Sequence, residues 1–116
     1  MEAYEYIFSK GAGVEFDCFG KRGFFEITDD MDYGQKFPYD EERAQMIKKF
    51  VDMGYIRQIF ISCDIDGRTL LKKWGGWGHS HLLTSGLLLL RKAGLSWEQI
   101  DQITRENPKE FLRVRK

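Results

Sequence analysis

Two aspartates close two strand-like runs in this sequence. Asp17 ends GVEFD, and Asp64 ends IFISCD, the most apolar strand-like run of the chain; Asp66 and Gly67 follow directly. A carboxylate is costly inside an apolar core. At the open end of a strand it is useful, because there it can meet a cation or accept a proton. Spacing alone leaves a second reading open, since Asp64, Asp66 and Gly67 also suit a solvent-exposed turn. Asp17 is open in the same way, as a site-side acid or a solvated strand end. Lys21 and Arg22, just past the first run, suit either an anionic group of a bound molecule or a solvated loop. Trp74 and Trp77, set among glycines in WGGWG, either wall a pocket or pack on their own loop. The HSH of His79–His81 imitates a metal-binding His-x-His. In a strand, residues i and i+2 share a face, but this pair follows a glycine loop and opens a helix, where i and i+2 diverge. Capping of the helix or packing at the loop base is therefore expected of it, not metal binding.

The elements that must position these groups are legible in outline. Residues 2–10 read as the end of a helix, with Tyr4, Ile7 and Phe8 at i, i+3 and i+4 and Gly11 as the stop. Residues 13–19 alternate, with Val14 and Phe16 on one side and Glu15 and Asp17 on the other. A long loop is expected over 20–38. A helix is expected from Asp40 to Met53, with Asp40 as N-cap, Glu41 and Glu42 in the first turn, and Met46, Ile47, Phe50 and Val51 as the apolar stripe. The strand Ile59–Asp64 follows, then a second loop over 65–78. A helix from Ser80 to Ala93 comes next, closed by Gly94. Ser96 and Gln99 form a capping box for a last short helix, which Pro108 is expected to interrupt before a turn at Phe111–Leu112. Strands alternating with helices imply an α/β fold with parallel strands, whose C-terminal ends carry the site. Two short parallel strands cannot cover both faces and protect both edges, so neighbours are expected.

The chain has 116 residues, with 18 basic and 18 acidic side chains and no formal net charge. Nothing in that balance offers the electrostatic footprint of a nucleic-acid binder. No apolar run approaches the ~20 residues of a bilayer span. The start MEAYEYIFSKG lacks the basic opening and cleavage site of a secretory leader. Two cysteines, Cys18 and Cys63, make no disulfide framework, and a reducing cytoplasm is the expectation.

Four separated motifs carry a resemblance. At GAGVEFDCFG, RQIFISCDI, GGWGHSHLL and ITRENPKEFL, in this order and spacing, the chain resembles the C-terminal part of the phosphotriesterase family, within the metal-dependent amidohydrolase superfamily. GGWG and RENPKEF bring it nearest to the homology-protein branch. The resemblance implies that residues 1–116 are a single partial domain, the C-terminal part of a (β/α)8 TIM barrel. Strand seven would lie at Val14–Phe19 and strand eight at Ile59–Asp64. A whole barrel of this kind needs about 250 residues. The family's other ligands, the His-x-His of strand one, a bridging Lys or Glu and two single His, precede strand seven and have no counterpart here.

By this resemblance Asp64 is the metal ligand of strand eight, and it accepts the proton of a hydroxide held by two zinc ions. Two divalent ions make hydroxide available near neutral pH, and a neighbouring carboxylate takes its proton as it attacks phosphorus or a carbonyl. Asp17 falls at an inward-facing position of strand seven. Cys18 stands where the lactonases carry Arg and the phosphotriesterases His, which leaves the substrate open among lactones, carboxylic esters and phosphate esters. Lys21, Arg22, Trp74 and Trp77 are the remaining substrate-side candidates. The isolated chain is expected to hold no zinc pair and to be inactive alone. Its partners would be a small ester, with no nucleic acid and no membrane, and either the missing N-terminal part of the barrel or another copy. The competing reading is a non-catalytic α/β module that binds a partner through an exposed sheet edge, with 20–38 and WGGWG as recognition loops.

Overall fold

The computed structural model describes residues 2–21, 23–24 and 36–113. Helix α1 (Glu2–Ser9) leads into strand β1 (Val14–Phe16), and α2 (Asp40–Asp52) connects it to β4 (Ile59–Ile61). The two strands pair in parallel, Val14 opposite Ile59 and Phe16 opposite Ile61. The ladder runs on past the strands, through Ser62 N–H to the Phe16 carbonyl at 3.0 Å and Phe19 N–H to the Ser62 carbonyl at 3.1 Å. The expected parallel βαβ unit is therefore present, but its strands end at Phe16 and Ile61 and not at Phe19 and Asp64, because the chain turns away beyond the last ladder bonds. Among the described residues each of its strands has one unpaired edge.

The segment between β1 and α2, read as plain loop, carries a two-residue antiparallel ladder, β2 (Gly23–Phe24) with β3 (Lys36–Phe37). Helix α2 also begins differently from expectation. Tyr39 is the N-cap, and Asp40 is the first helical residue, fully buried. Tyr39 donates its N–H to Glu42 Oε2 at 2.6 Å, so the cap is closed from the first turn and Asp40 is free to point inward.

Alternation decides which strand faces are covered. Val14 and Phe16 pack on the core, as does Ile59, while Glu15 and Asp17 stay exposed on the other face. Phe50 of α2 lies at the centre of the core, with the rings of Tyr4 and Phe8 at 5.1 Å and Phe16 at 6.3 Å. Of the expected α2 stripe, Ile47, Phe50 and Val51 are buried and Met46 is exposed. Phe60, on the far face of β4, meets the ring of Phe111 at 5.4 Å.

After β4, two short 3-10 turns (Arg68–Leu70 and Lys72–Trp74) shape the glycine loop. The next helix opens with a π turn (Leu82–Gly86) and continues as α3 (Leu87–Lys92). Ser96 caps α4 (Trp97–Asp101) as expected: Gln99 N–H reaches its hydroxyl at 3.2 Å, and Ser96 N–H reaches Gln99 Oε1 at 2.9 Å. Pro108 does not interrupt the chain as expected. A second π turn (Gln102–Glu106) widens the helix just before it, and Pro108 sits in the first turn of α5 (Asn107–Phe111), where a missing N–H costs little.

The same π turn delivers buried Asn107 beneath β4. Its Nδ2 donates to the carbonyls of Ile56 at 2.7 Å and Ile59 at 2.8 Å, and its Oδ1 accepts from Gln102 Nε2 at 2.8 Å. Asn107→Ala strips the part-buried Ile56 carbonyl and the buried Ile59 carbonyl of their donor and should lower unfolding free energy by about 2–3 kcal/mol. Urea unfolding measures that loss, and an unchanged midpoint would show that the clamp carries no stability.

Candidate functional site

The C-terminal ends of β1 and β4 lie side by side, and this brings the strand-end acids together. One ligand atom each from Asp17, Cys18 and Asp64 falls within 4.8 Å of the others. Asp64 has φ +42°, in the left-handed region, a conformation that Asp tolerates better than most side chains. Its carboxylate stands on the Asp17 side of the strand end. The Cys18 thiol donates to Asp17 Oδ1 at 3.0 Å. Burial, and after it this bond to a carboxylate, push the Cys18 thiol up to about 11. Cys63, on the opposite face of the same strand end, is buried and its thiol is also raised, chiefly by burial. Neither cysteine is in a disulfide.

Lys21 joins this cluster directly. Its ammonium contacts Asp64 and lies 2.9 Å from Asp66 Oδ2. The bond to Asp64, then that to Asp66, hold the ammonium well above the usual lysine range, while Lys21 pulls the Asp66 carboxyl below its ordinary value. Arg22, the other cation named at this loop, lies outside the described residues.

Beneath the cluster is a buried network that fixes its backbone. Asp40 accepts the N–H of Gly20 at both oxygens, at 2.9 and 3.1 Å, Arg43 Nη1 at 2.8 Å, and pairs with His81 Nε2 at 2.8 Å. Arg43 also donates to the Lys21 carbonyl at 3.2 Å. Three elements are thus tied at one carboxylate: the turn after β1, the start of α2 and the start of the helix after the glycine loop. His81 packs against this acid, and His79 is exposed, so the HSH pair diverges as its helical start requires.

The two tryptophans separate. Trp77 lies over Gly20, where a Cβ would sit 2.4 Å from Nε1 of its ring, and its ring stands 6.3 Å from that of His81. Gly20 itself has φ +93°, so both backbone and neighbour demand glycine there. Trp74 is half in solvent, with the Arg68 guanidinium at 5.7 Å and the Lys73 ammonium at 5.6 Å from its ring. The structure brings Asp17, Cys18, Lys21 and Asp64 together, with Trp77 beside the same turn, and gives Trp74 to its own loop.

Reading the residues in order missed Asp40, Arg43 and Asp66. Asp40 carries a legible signal, an acid before a helix, but that signal names a cap and not a buried anchor. Asp66 was visible only as a turn acid.

Asp17, Cys18 and Asp64 together offer two carboxylates and a thiol, donor types that zinc accepts, although the Lys21 ammonium is bonded to Asp64 here. Among the described residues no second such cluster is present to complete a pair.

Known proteins share this arrangement of elements. The chain is 34% identical over 102 residues to the phosphotriesterase homology protein of Escherichia coli (strain K12), covering 88% of this chain and 30% of that protein. It is 34% identical over 103 residues to the N-acetyltaurine hydrolase of Bos taurus, covering 88% of this chain and 28% of that one. Among solved structures, a resiniferatoxin-binding protein from Rhodobacter sphaeroides superposes with TM-score 0.79 at 31% identity, over 87% of this chain and 27% of that one. The Escherichia coli phosphotriesterase homology protein, solved with phosphate in its active site, superposes with TM-score 0.77 at 31% identity, over 97% of this chain and 34% of that one. The chain spans about 30% of the length of the curated relatives it matches. No helix of the described residues is long and apolar enough to cross a membrane. A model of the phosphotriesterase family matches residues 2–112, nearly the whole of these elements and the strand-end cluster with them, and the chain belongs to that family.

Proposed function

We propose that these residues are the C-terminal part of a metal-dependent hydrolase, with β1 and β4 as strands seven and eight of a (β/α)8 barrel. The observation that carries this reading is the convergence of Asp17, Cys18 and Asp64 within 4.8 Å at the C-terminal ends of two parallel strands. Asp64 is the metal ligand and the proton acceptor for the attacking water. Asp17 and Cys18 line the side of the site nearest strand seven, and Asp17 holds the Cys18 thiol in place. Zinc, when bound, supplies Lewis acidity and makes water a nucleophile near neutral pH. Trp77 shapes the wall next to Gly20, and Trp74 reaches solvent at the outer rim.

The substrate is a small carboxylic, lactone or phosphate ester. A relative named for hydrolysing N-acetyltaurine extends the acyl class to amides. The described residues supply one donor cluster, so turnover needs the remaining ligands from the other part of the barrel. The free edges of β1 and β4 are where that part would pair.

Reconstitution tests this reading. The 116-residue chain is mixed with the preceding part of the Escherichia coli homology protein in the presence of zinc and assayed on lactone, carboxylic-ester, phosphate-ester and N-acyl amide substrates. Hydrolysis is expected from the mixture and from neither piece alone. Asp64→Asn is expected to lower it about 10²- to 10⁴-fold, the usual worth of a positioned proton acceptor. A metal-free monomer that neither pairs with the complementary piece nor gains activity favours the non-catalytic module instead.

A further inference from the structure

Residues 77–81 grip Gly20 at two points. One is its Cα, which the Trp77 ring approaches so closely that a Cβ there would stand 2.4 Å from Nε1. The other is its N–H, which bonds to both oxygens of Asp40, and Asp40 Oδ2 is shared with His81 Nε2 at 2.8 Å. Gly78, with φ +69°, turns the chain between the two aromatic residues, and their rings meet edge-on at 6.3 Å. The indole has no hydrogen bond of its own to hold it. Its Nε1 is buried and without a partner among the described residues. The ring therefore keeps its place by packing alone, on Gly20 and beside His81. The carboxylate between His81 and Gly20 is fully buried, and the imidazole is only 13% exposed. Hydrogen bonds to a carboxylate are strong in such surroundings and exacting in geometry. Arg43 Nη1 holds Oδ1 and His81 Nε2 holds Oδ2, so the carboxylate cannot turn away from Gly20 without breaking one of them.

We propose that His81 is a positioning residue: acting through Asp40, it sets the backbone of the turn between Cys18 and Lys21 and the seat of Trp77 on Gly20. Among the described residues its imidazole bonds to Asp40 and to none of Asp17, Cys18 and Asp64. On the hydrolase reading, on which this consequence rests, His81 therefore governs how well the site takes its substrate and not the chemical step. The turn and the indole form the substrate side of the site, whereas Asp64 stands on the other strand end.

Proton exchange at the Gly20 amide and the resonance of the Trp77 indole, followed by NMR on the 116-residue chain, test this. His81→Leu is expected to speed Gly20 exchange about tenfold, what one hydrogen bond to a charged group is worth, and to shift the indole signal. His81→Gln, whose side-chain amide can still donate to Asp40, is expected to restore both. Thr84→Val cuts the hydroxyl's bonds to the carbonyls of Ser80 and His81 but leaves the imidazole in place, and should leave both signals as in the parent. Circular dichroism establishes that each variant is folded; should His81→Leu not fold, His81→Phe serves in its place. In the reconstituted barrel His81→Leu should raise KM about tenfold with kcat unchanged, because a merely unfolded fraction lowers kcat and leaves KM alone. Gly20 exchange in His81→Leu equal to the parent's overturns the proposal. So does faster exchange accompanied by a lower kcat at unchanged KM. Mixtures that hydrolyse nothing overturn the hydrolase reading and not this one, which Gly20 exchange and its rescue by His81→Gln then decide.

Discussion

Asp40→Ala should lower the unfolding free energy of this chain by about 3–5 kcal/mol, the cost of breaking a buried ion pair from one side. The carboxylate is fully buried, and so, at 6% exposure, is its partner Arg43. Truncation removes the acceptor of Gly20 N–H, of Arg43 Nη1 and of His81 Nε2 at once. The largest part of the loss comes from the guanidinium, left in the interior without its counter-charge. That attribution has its own check. Asp40→Ala combined with Arg43→Met should recover part of the stability lost by Asp40→Ala alone, because the stranded charge is gone. Urea unfolding followed by tryptophan fluorescence suits the measurement, since Trp77 lies against Gly20 and His81. A midpoint unchanged by Asp40→Ala would mean that the network is solvated in solution. The same substitution should also loosen the turn that carries Cys18 and Lys21, because Gly20 N–H loses its acceptor.

Phe50→Ala comes next, with an expected loss of about 3–5 kcal/mol for a large ring removed from a close-packed core. Phe50 is completely buried on α2, ringed by Tyr4 and Phe8 from α1 and by Phe16 from β1. It joins the first helix to the strand that carries Asp17, so its removal opens a cavity shared by three elements. A chain of this size has only about 5–15 kcal/mol in hand. Thermal and urea unfolding should therefore show a large shift or a chain unfolded at room temperature. Phe50→Leu, which keeps most of the volume, should cost much less. A loss under about 1 kcal/mol for the alanine variant would show that the surrounding rings collapse into the space.

How far these groups could be read beforehand follows from the range over which each signal acts. The parallel pair, the helices on either side of it and the Ser96–Gln99 capping box are written in short-range periodicity and spacing; they are present, though the strands stop at Phe16 and Ile61, short of the expected Phe19 and Asp64. The missteps are local rules overridden at longer range. Asp40 has the type and place of a cap, but Tyr39 takes the cap, and the acid turns inward to meet groups 20 and 41 residues away. Pro108 has the type of a helix breaker, but a π turn absorbs it so that Asn107 can reach β4. Lys21 read as a cation for either an anionic ligand or solvent, and two anions are already supplied by the chain itself.

The sequence by itself determined the family, the parallel pair with its flanking helices, and the placing of Asp17 and Asp64 just past the two strands, because periodicity and motif spacing are local properties of a chain. Only the tertiary structure decided that Cys18 and Lys21 join those two acids and that Asp40, not a histidine pair, organises the ground beneath them. The physical reason is that charge pairing depends on distance in space, falling off steeply beyond a few ångströms. Residues 43 positions apart acquire that proximity only when two parallel strands set their ends side by side.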